Sequence, residues 1–402
     1  MKKNAVYGQS GGPTSVINSS LYGVIKECNA QGEIEKLFIM HNGIKGLIDG
    51  DLKDVSEIEE KEIESLPYTP SAICGSVRYK LKSHKDDESD YLKILNTLKK
   101  YNIGYVFLNG GNDSMDTTSK LSAFLKDNNY DCKVIGIPKT IDNDLMGTDH
   151  TPGYASAAKF IATCIKSISY DNDCYPKGRV NIVEIMGRDT GWLTASSSLA
   201  NLTGNGPDLI YVPEIPFDIE TFLKDVDKIY KEKRRCLVAV SEGIKDKDGN
   251  FITKEATIDA FNHAQLGGTC YTLSKLVESR LGYSTRAIEL SLLQRCFAPS
   301  IALQDRIEAI KCGQHAVRFA LLNKKEVMVT MDRTNDPYTI TYNVHPIYEI
   351  ANAIKYLPRT MMNKEGNNVT QEFIDYILPL CKGTEEVKEE NGLPIYSNKS
   401  KF

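Results

Sequence analysis

The chain has 402 residues, with 49 Lys and Arg against 53 Asp and Glu for a net charge of −4. That length predicts two or three domains, and the near-neutral balance excludes the strongly basic face of a dedicated nucleic-acid binder. With 41% hydrophobic and 25% charged residues, the composition is that of a globular protein rather than a disordered, collagen-like or low-complexity chain.

Taken from the start, residues 1–7 turn polar at Gly8 before any leader core could form, so no signal peptide is expected. No apolar run approaches the roughly 18–20 residues of a membrane helix, so no membrane partner is expected. The ten cysteines are scattered without a C-x-x-C pair, which predicts reduced thiols in a cytoplasmic enzyme. The six histidines form no H-E-x-x-H, so a zinc hydrolase finds no support.

Strands are predicted at residues 5–7, 37–40, 105–108, 134–137, 182–186, 209–212 and 237–240. Each is short, β-branched and apolar on both faces, as parallel strands covered on both sides are. Between them lie helical patterns: Tyr91, Ile94, Leu95 and Leu98 share one spacing, and Phe222, Val226 and Ile229 another. The alternation predicts an α/β fold with parallel sheets. The acidic stretch 54–64 and the tail from residue 382 are expected to be solvated surface.

Chemistry gathers just after the strands. The first is followed by Gly8-Gln9-Ser10-Gly11-Gly12-Pro13-Thr14-Ser15 and the 105–108 strand by Asn109-Gly110-Gly111-Asn112-Asp113-Ser114. The 134–137 strand leads into Pro138-Lys139-Thr140-Ile141-Asp142-Asn143-Asp144. Gly187-Arg188-Asp189-Thr190-Gly191 and Ser241-Glu242-Gly243 end two more. Ligands of open parallel sheets bind beyond the carboxyl ends of strands, so one lined crevice is expected. Gly11-Gly12 and Gly110-Gly111 let backbone N–H groups approach an anion ahead of a helix N-terminus. Neither is a Walker loop or a G-x-G-x-x-G, and either alone reads equally well as a tight turn.

These motifs, in this order, resemble the phosphofructokinase family, and T-I-D-N-D with M-G-R carries most of the specificity. G-Q-S-G-G-P-T and P-K-T-I-D-N-D resemble its pyrophosphate-dependent branch. The resemblance implies two doubly wound Rossmann-like domains with parallel sheets facing one active-site crevice. Residues 1–155 plus about 294–325 would form the phosphoryl-donor domain, and 156–293 plus part of 326–402 the sugar-phosphate domain. The last hundred residues carry no motif with a chemical reading.

The resemblance also implies roles. Asp142 would take the proton from the 1-hydroxyl of fructose 6-phosphate as general base, with Thr140 on the transferring phosphoryl group and Ile141 beside the substrate. Gly11, Gly12, Arg78, Gly110, Gly111 and Ser114 would hold the donor. Met186, Gly187, Arg188 and Glu242 would hold the sugar. Arg179 and Arg286 would grip the 6-phosphate from a neighbouring subunit, which implies a homodimer or homotetramer, and Arg295 would join the substrate contacts. Leu292 stands where ATP-dependent members have a phosphate-binding histidine, and Tyr283 in G-Y-x-x-R is the candidate replacement. Magnesium is the implied cofactor, with Asn112, Asp113 and Asp144 as ligands.

Two positions bear on the donor. Asp113 replaces the last glycine of the ATP-type G-G-D-G-S, and its carboxylate would repel a nucleotide α-phosphate. Lys139 stands where ATP-dependent members have glycine and can neutralise pyrophosphate and the leaving phosphate. A buried carboxylate there would need that cation. The expected activity is reversible phosphoryl transfer from pyrophosphate to fructose 6-phosphate. An ATP-dependent kinase and a silent sugar-phosphate-binding regulatory subunit are the alternatives. A nicotinamide enzyme is disfavoured, because it would need the dinucleotide fingerprint.

Overall fold

The computed structural model describes residues 2–253, 257–258, 264–265 and 267–402. In chain order the strands are β1 (Lys3–Gln9), β2 (Ile34–Met40), β3 (Leu52–Asp54), β4 (Ile103–Gly110), β5 (Lys133–Pro138), β6 (Val180–Ile185), β7 (Leu209–Tyr211) and β8 (Cys236–Ser241). After the short β9 (Thr257–Ile258) and β10 (Ala264–Gln265) come β11 (Thr285–Glu289), β12 (Val327–Asn335) and β13 (Tyr338–Pro346). The chain divides into two units: residues 1–154, 295–354 and 383–402 in the first, and 155–294 with 355–382 in the second.

The first unit is built on a seven-stranded sheet of order β13-β12-β5-β4-β1-β2-β3. Its five central strands are parallel, and β3 and β13 close the edges antiparallel. Alternate side chains enter different cores. Ala5, Tyr7 and Phe107 join Leu21, Val24, Cys312 and Val317 on one face. Val6, Val106 and Leu108 join Tyr91, Ile94, Leu98, Leu121 and Phe124 on the other. Strands buried on both faces are why these runs are apolar throughout.

On the first face the helices Ile17–Gln31 and Leu303–Leu321 touch backbone to backbone. A Cβ on Gly23 would lie 2.0 Å from the Ile310 carbonyl oxygen, and one on Gly313 would lie 2.1 Å from that of Ser20. Glycine inside a helix costs about 1 kcal/mol against alanine, so these two trade propensity for close approach. A segment without a chemical reading thereby supplies a layer of the first unit. It also extends the sheet with β12 and β13.

The second unit holds the parallel sheet β11-β6-β8-β7, covered by Phe222, Leu223, Val226, Leu273 and Val277 of two helices. The predicted helical patterns fall on the helices Ser89–Lys100 and Ile219–Lys233. The latter is capped by the Asp218 carboxylate, which accepts from the Thr221 N–H at 2.8 Å.

The expectation for the acidic stretch needs correcting. Asp54 is buried, accepts from the Ser56 N–H and pairs with Lys36 at 2.7 Å, while Ile58 and Ile63 enter the core. Charge density alone hid an alternation of core and surface positions. The tail from residue 382 is exposed along most of its length, as expected, with Ser397 and Phe402 as its buried anchors. Among the described residues, no helix is long and apolar enough to cross a membrane.

Candidate active site

In the first unit the chain leaves β1 toward β2 on one side, whereas β4 and β5 lie on the other. The β1 and β4 loops therefore flank the switch point where open α/β sheets bind ligands. Gly8 to Ser15 and Gly110 to Ser114 occupy those positions. Gly11 has φ +78°, and a Cβ on Gly110 would lie 1.9 Å from the Ser114 hydroxyl oxygen. Gly111 caps the helix Asn112–Asp127, whose N-terminus favours an anion.

Lys139 follows β5 and reaches the same place. It is 3% exposed, and its ammonium donates to the Gly12 carbonyl at 2.7 Å. Burial pushes its pKa down to about 8, against the pull of Asp142, Asp144 and Asp113, while Arg295 adds repulsion. Asp113 is exposed. This corrects the expected pairing, since the buried member is the cation and the carboxylate lies in solvent.

Side chains within the loop and from the 110–114 loop shape the rest of it. The Thr140 hydroxyl accepts from the Asp142 N–H at 3.0 Å, and Asn143 turns the chain with φ +54°. Asn112 Nδ2 donates to the Asp144 carboxylate at 3.1 Å. Asn112 Oδ1 is buried and meets no hydrogen-bond partner among the described residues. An orphaned amide oxygen beside a carboxylate fits a hard oxygen-seeking cation.

Arg78 is exposed on a loop tied to the first glycine loop, where the Ser76 hydroxyl donates to the Gly11 carbonyl at 2.8 Å. Residues not anticipated from the sequence hold that loop. Gln9 Nε2 donates to Asn18 Oδ1 at 2.8 Å, Gln9 Oε1 accepts from the Cys74 N–H, and Asn18 Nδ2 donates to the Thr69 and Ser71 carbonyls. Both side chains are fully buried at the mouth of β1, and nothing local in the sequence marks them, because their backbone partners lie 51 to 65 positions away. Arg295 also belongs to the first unit: its Nη1 lies 2.9 Å from where a Cβ on Gly12 would be.

In the second unit two loops interlock. The Glu242 carboxylate accepts from the Gly187 N–H at 3.2 Å, and a Cβ on Gly243 would lie 1.9 Å from the Arg188 carbonyl oxygen. Arg188 pairs with Asp189 at 2.9 Å, a partner the motif did not reveal. Arg179, Tyr283 and Arg286 are not with them. They stand at or just before the opposite ends of β6 and β11, where Arg286 pairs in register with Asn181. The six residues of β6 separate Arg179 from Met186, a span of roughly 23 Å.

Arg179 and Tyr283 line a pocket of about 300 Å³ with Lys177, Tyr230 and Ser284. The Tyr283 hydroxyl donates to Asp227 at 2.6 Å, and its ring stacks on Tyr230 with centroids 4.0 Å apart. Leu292 is exposed.

A doubly wound α/β protein with a buried lysine behind paired glycine loops is a phosphoryl-transfer type of site. The family profile described as Phosphofructokinase matches residues 4–320, so the chain belongs to the phosphofructokinase family. The chain is 37% identical to pyrophosphate–fructose 6-phosphate 1-phosphotransferase of Halomonas elongata over 396 residues, 97% of this chain and 94% of that one. Two crystal structures titled pyrophosphate-dependent phosphofructokinase superpose closely. That from Nitrosospira multiformis has a TM-score of 0.90 at 35% identity, covering 98% of this chain and 95% of its own. That from Marinobacter aquaeolei has 0.89 at 34%, covering 98% and 96%.

Proposed function

We infer that this chain reversibly transfers a phosphoryl group from pyrophosphate to the 1-hydroxyl of fructose 6-phosphate, giving fructose 1,6-bisphosphate and phosphate. The observation that carries the reading is the buried Lys139 ammonium against the Gly12 carbonyl, behind both glycine loops. A cation held there suits a compact polyanion whose charge moves onto the departing phosphate.

Asp142 takes the proton as O1 of the sugar attacks the nearer phosphorus. The anhydride P–O bond breaks, and its electron pair leaves with orthophosphate beside Lys139. Arg78 adds a second cation for charge spread over the transferring group. Met186, Gly187, Arg188 and Glu242 receive the sugar. Asn112, Asp113 and Asp144 would hold magnesium, which when bound neutralises pyrophosphate charge.

Arg179 and Arg286 stand at the wrong end of their sheet to reach a sugar held at Met186 in the same chain. Both are exposed, and this supports their service to a second copy in a homo-oligomer.

The test is a matrix of donors (pyrophosphate, ATP) against acceptors (fructose 6-phosphate and other sugar phosphates), run beside Asp142→Asn. Turnover with pyrophosphate and fructose 6-phosphate is expected, with negligible ATP use and a loss of roughly 10²–10⁴ in the variant. Preference for ATP refutes the donor. Retention of more than about a tenth of the rate, against that expectation, refutes Asp142 as the base.

A further inference from the structure

The 139–144 loop does not support itself. Behind it runs the segment 148–153, which meets it at three places. The Thr140 N–H donates to the Pro152 carbonyl at 3.3 Å, Thr140 bridges Gly153, and the Thr151 hydroxyl donates to the Thr140 carbonyl at 2.8 Å. The segment's far end packs on the first glycine loop, for a Cβ on Gly153 would lie 2.3 Å from Thr14 Cγ2.

Thr148 and Asp149 bond to Met331 of β12, and a buried charge cluster centred on His150 ties the strap to the helix Leu303–Leu321. The imidazole Nδ1 lies 2.8 Å from the Asp149 carboxylate and its Nε2 lies 2.7 Å from that of Glu308. A neutral imidazole has one N–H and could satisfy only one of these acceptors, so the ring carries both protons. His150 is 0% and Glu308 1% exposed.

The surrounding groups complete the balance. Arg333 lies 3.6 Å from Asp149, Tyr338 and Gln304 donate to the second oxygen of Glu308, and the Gly153 N–H donates to buried Asp305. Burial of the ring opposes its charge, and the two carboxylates overcome that and raise its pKa to about 9. A buried ion pair seldom gives net stability over an apolar replacement. Its attested use is to fix one arrangement.

We propose that His150 is a positioning residue for the phosphoryl-transfer step, holding Thr140 and Asp142 in register through Thr151 and anchoring their strap to the helix Leu303–Leu321. The cluster touches no substrate group and acts only on loop geometry. It rests on the assignment of Asp142 as the base, and it deepens that assignment.

Two variants test it, His150→Gln and the near-isosteric Thr151→Val, compared with native protein and Asp142→Asn for kcat, both KM values and Tm. Misplacing a catalytic group by about 1 Å can cost on the order of 10²-fold, so kcat should fall about tenfold or more in each strap variant while both KM values stay within about threefold. A purely structural role would lower Tm and leave kcat of the folded protein unchanged. The proposal is overturned if Thr151→Val keeps kcat within about twofold of native, well short of that loss. That variant decides the matter alone should His150→Gln fail to fold. An inactive Asp142→Asn beside fully active strap variants rejects this inference only, whereas an active Asp142→Asn rejects the base itself.

Discussion

Lys139 should give pyrophosphate turnover an alkaline limit that an ordinary lysine would not. Its pKa falls from 10.5 to about 8, chiefly through burial. A group with that pKa is about half charged at pH 8 and about one-tenth charged at pH 9, whereas an unperturbed lysine stays charged at both. Since kcat/KM reports the free enzyme, its value for pyrophosphate should fall about tenfold per pH unit above 8 at saturating fructose 6-phosphate. Lys139→Arg keeps a full charge throughout, so its absolute rate can drop with altered geometry while the limb disappears. Ionisation of pyrophosphate is common to both proteins and cancels in the native-to-variant ratio. Stability carries the opposite sign. The unfolded chain holds this proton up to about pH 10.5 and the folded protein only to about 8, so the fold gains stability as pH rises through that window. A native-to-variant ratio that stays flat between pH 7.5 and about 9.5, where the charge should fall more than tenfold, refutes Lys139 as the donor-site cation.

Asp113→Gly should raise the ATP-to-pyrophosphate ratio of kcat/KM by more than about tenfold, equivalent to about 1.4 kcal/mol, and steady-state kinetics with both donors reads it. Gly313→Ala should destabilise by roughly 2 kcal/mol in urea unfolding despite alanine's better helix propensity, since its Cβ meets the Ser20 carbonyl. His150 binds its proton up to about pH 9 in the fold but only to 6.5 when unfolded, so its stabilisation is complete below 6.5 and lost by about 9. The stability gap between native and His150→Gln should shrink across that window in urea melts at stepped pH.

The legible part of the fold was the part buried on both sides. β1, β2, β4 and β5 read as strands because cores cover both their faces. β13 is Tyr-Thr-Ile-Thr-Tyr-Asn-Val-His-Pro, an antiparallel edge with alternate residues exposed, and polar alternation of that kind looks like loop in a single sequence. β11, with Arg286 and Glu289 exposed, escaped for the same reason. The helix Leu303–Leu321 was hidden differently. Its contact with Ile17–Gln31 runs through glycines and backbone, which leave little trace in hydrophobic periodicity.

The candidate site divides along a similar line. Groups that would touch a substrate stand in short loops after strands, where glycines and charges have few other uses, and so Lys139, Asp142 and the glycine pairs could be picked out. The groups that hold those loops are ordinary polar residues whose meaning depends on distant partners. Gln9 and Asn18 matter because of residues 69–74, and His150 because of a glutamate 158 positions later. Burial, too, is invisible locally. Asp113 and Lys139 read as a pair with a buried carboxylate, yet the tertiary fold buries the lysine and exposes the aspartate. That inversion has a chemical consequence. A buried carboxylate at the donor loop would repel every polyanion, whereas a buried ammonium lowered to about 8 attracts one and regains its full charge when pyrophosphate arrives. On the proposed reading, donor choice would follow from which charge the fold desolvates, not from the motif in which both residues are written.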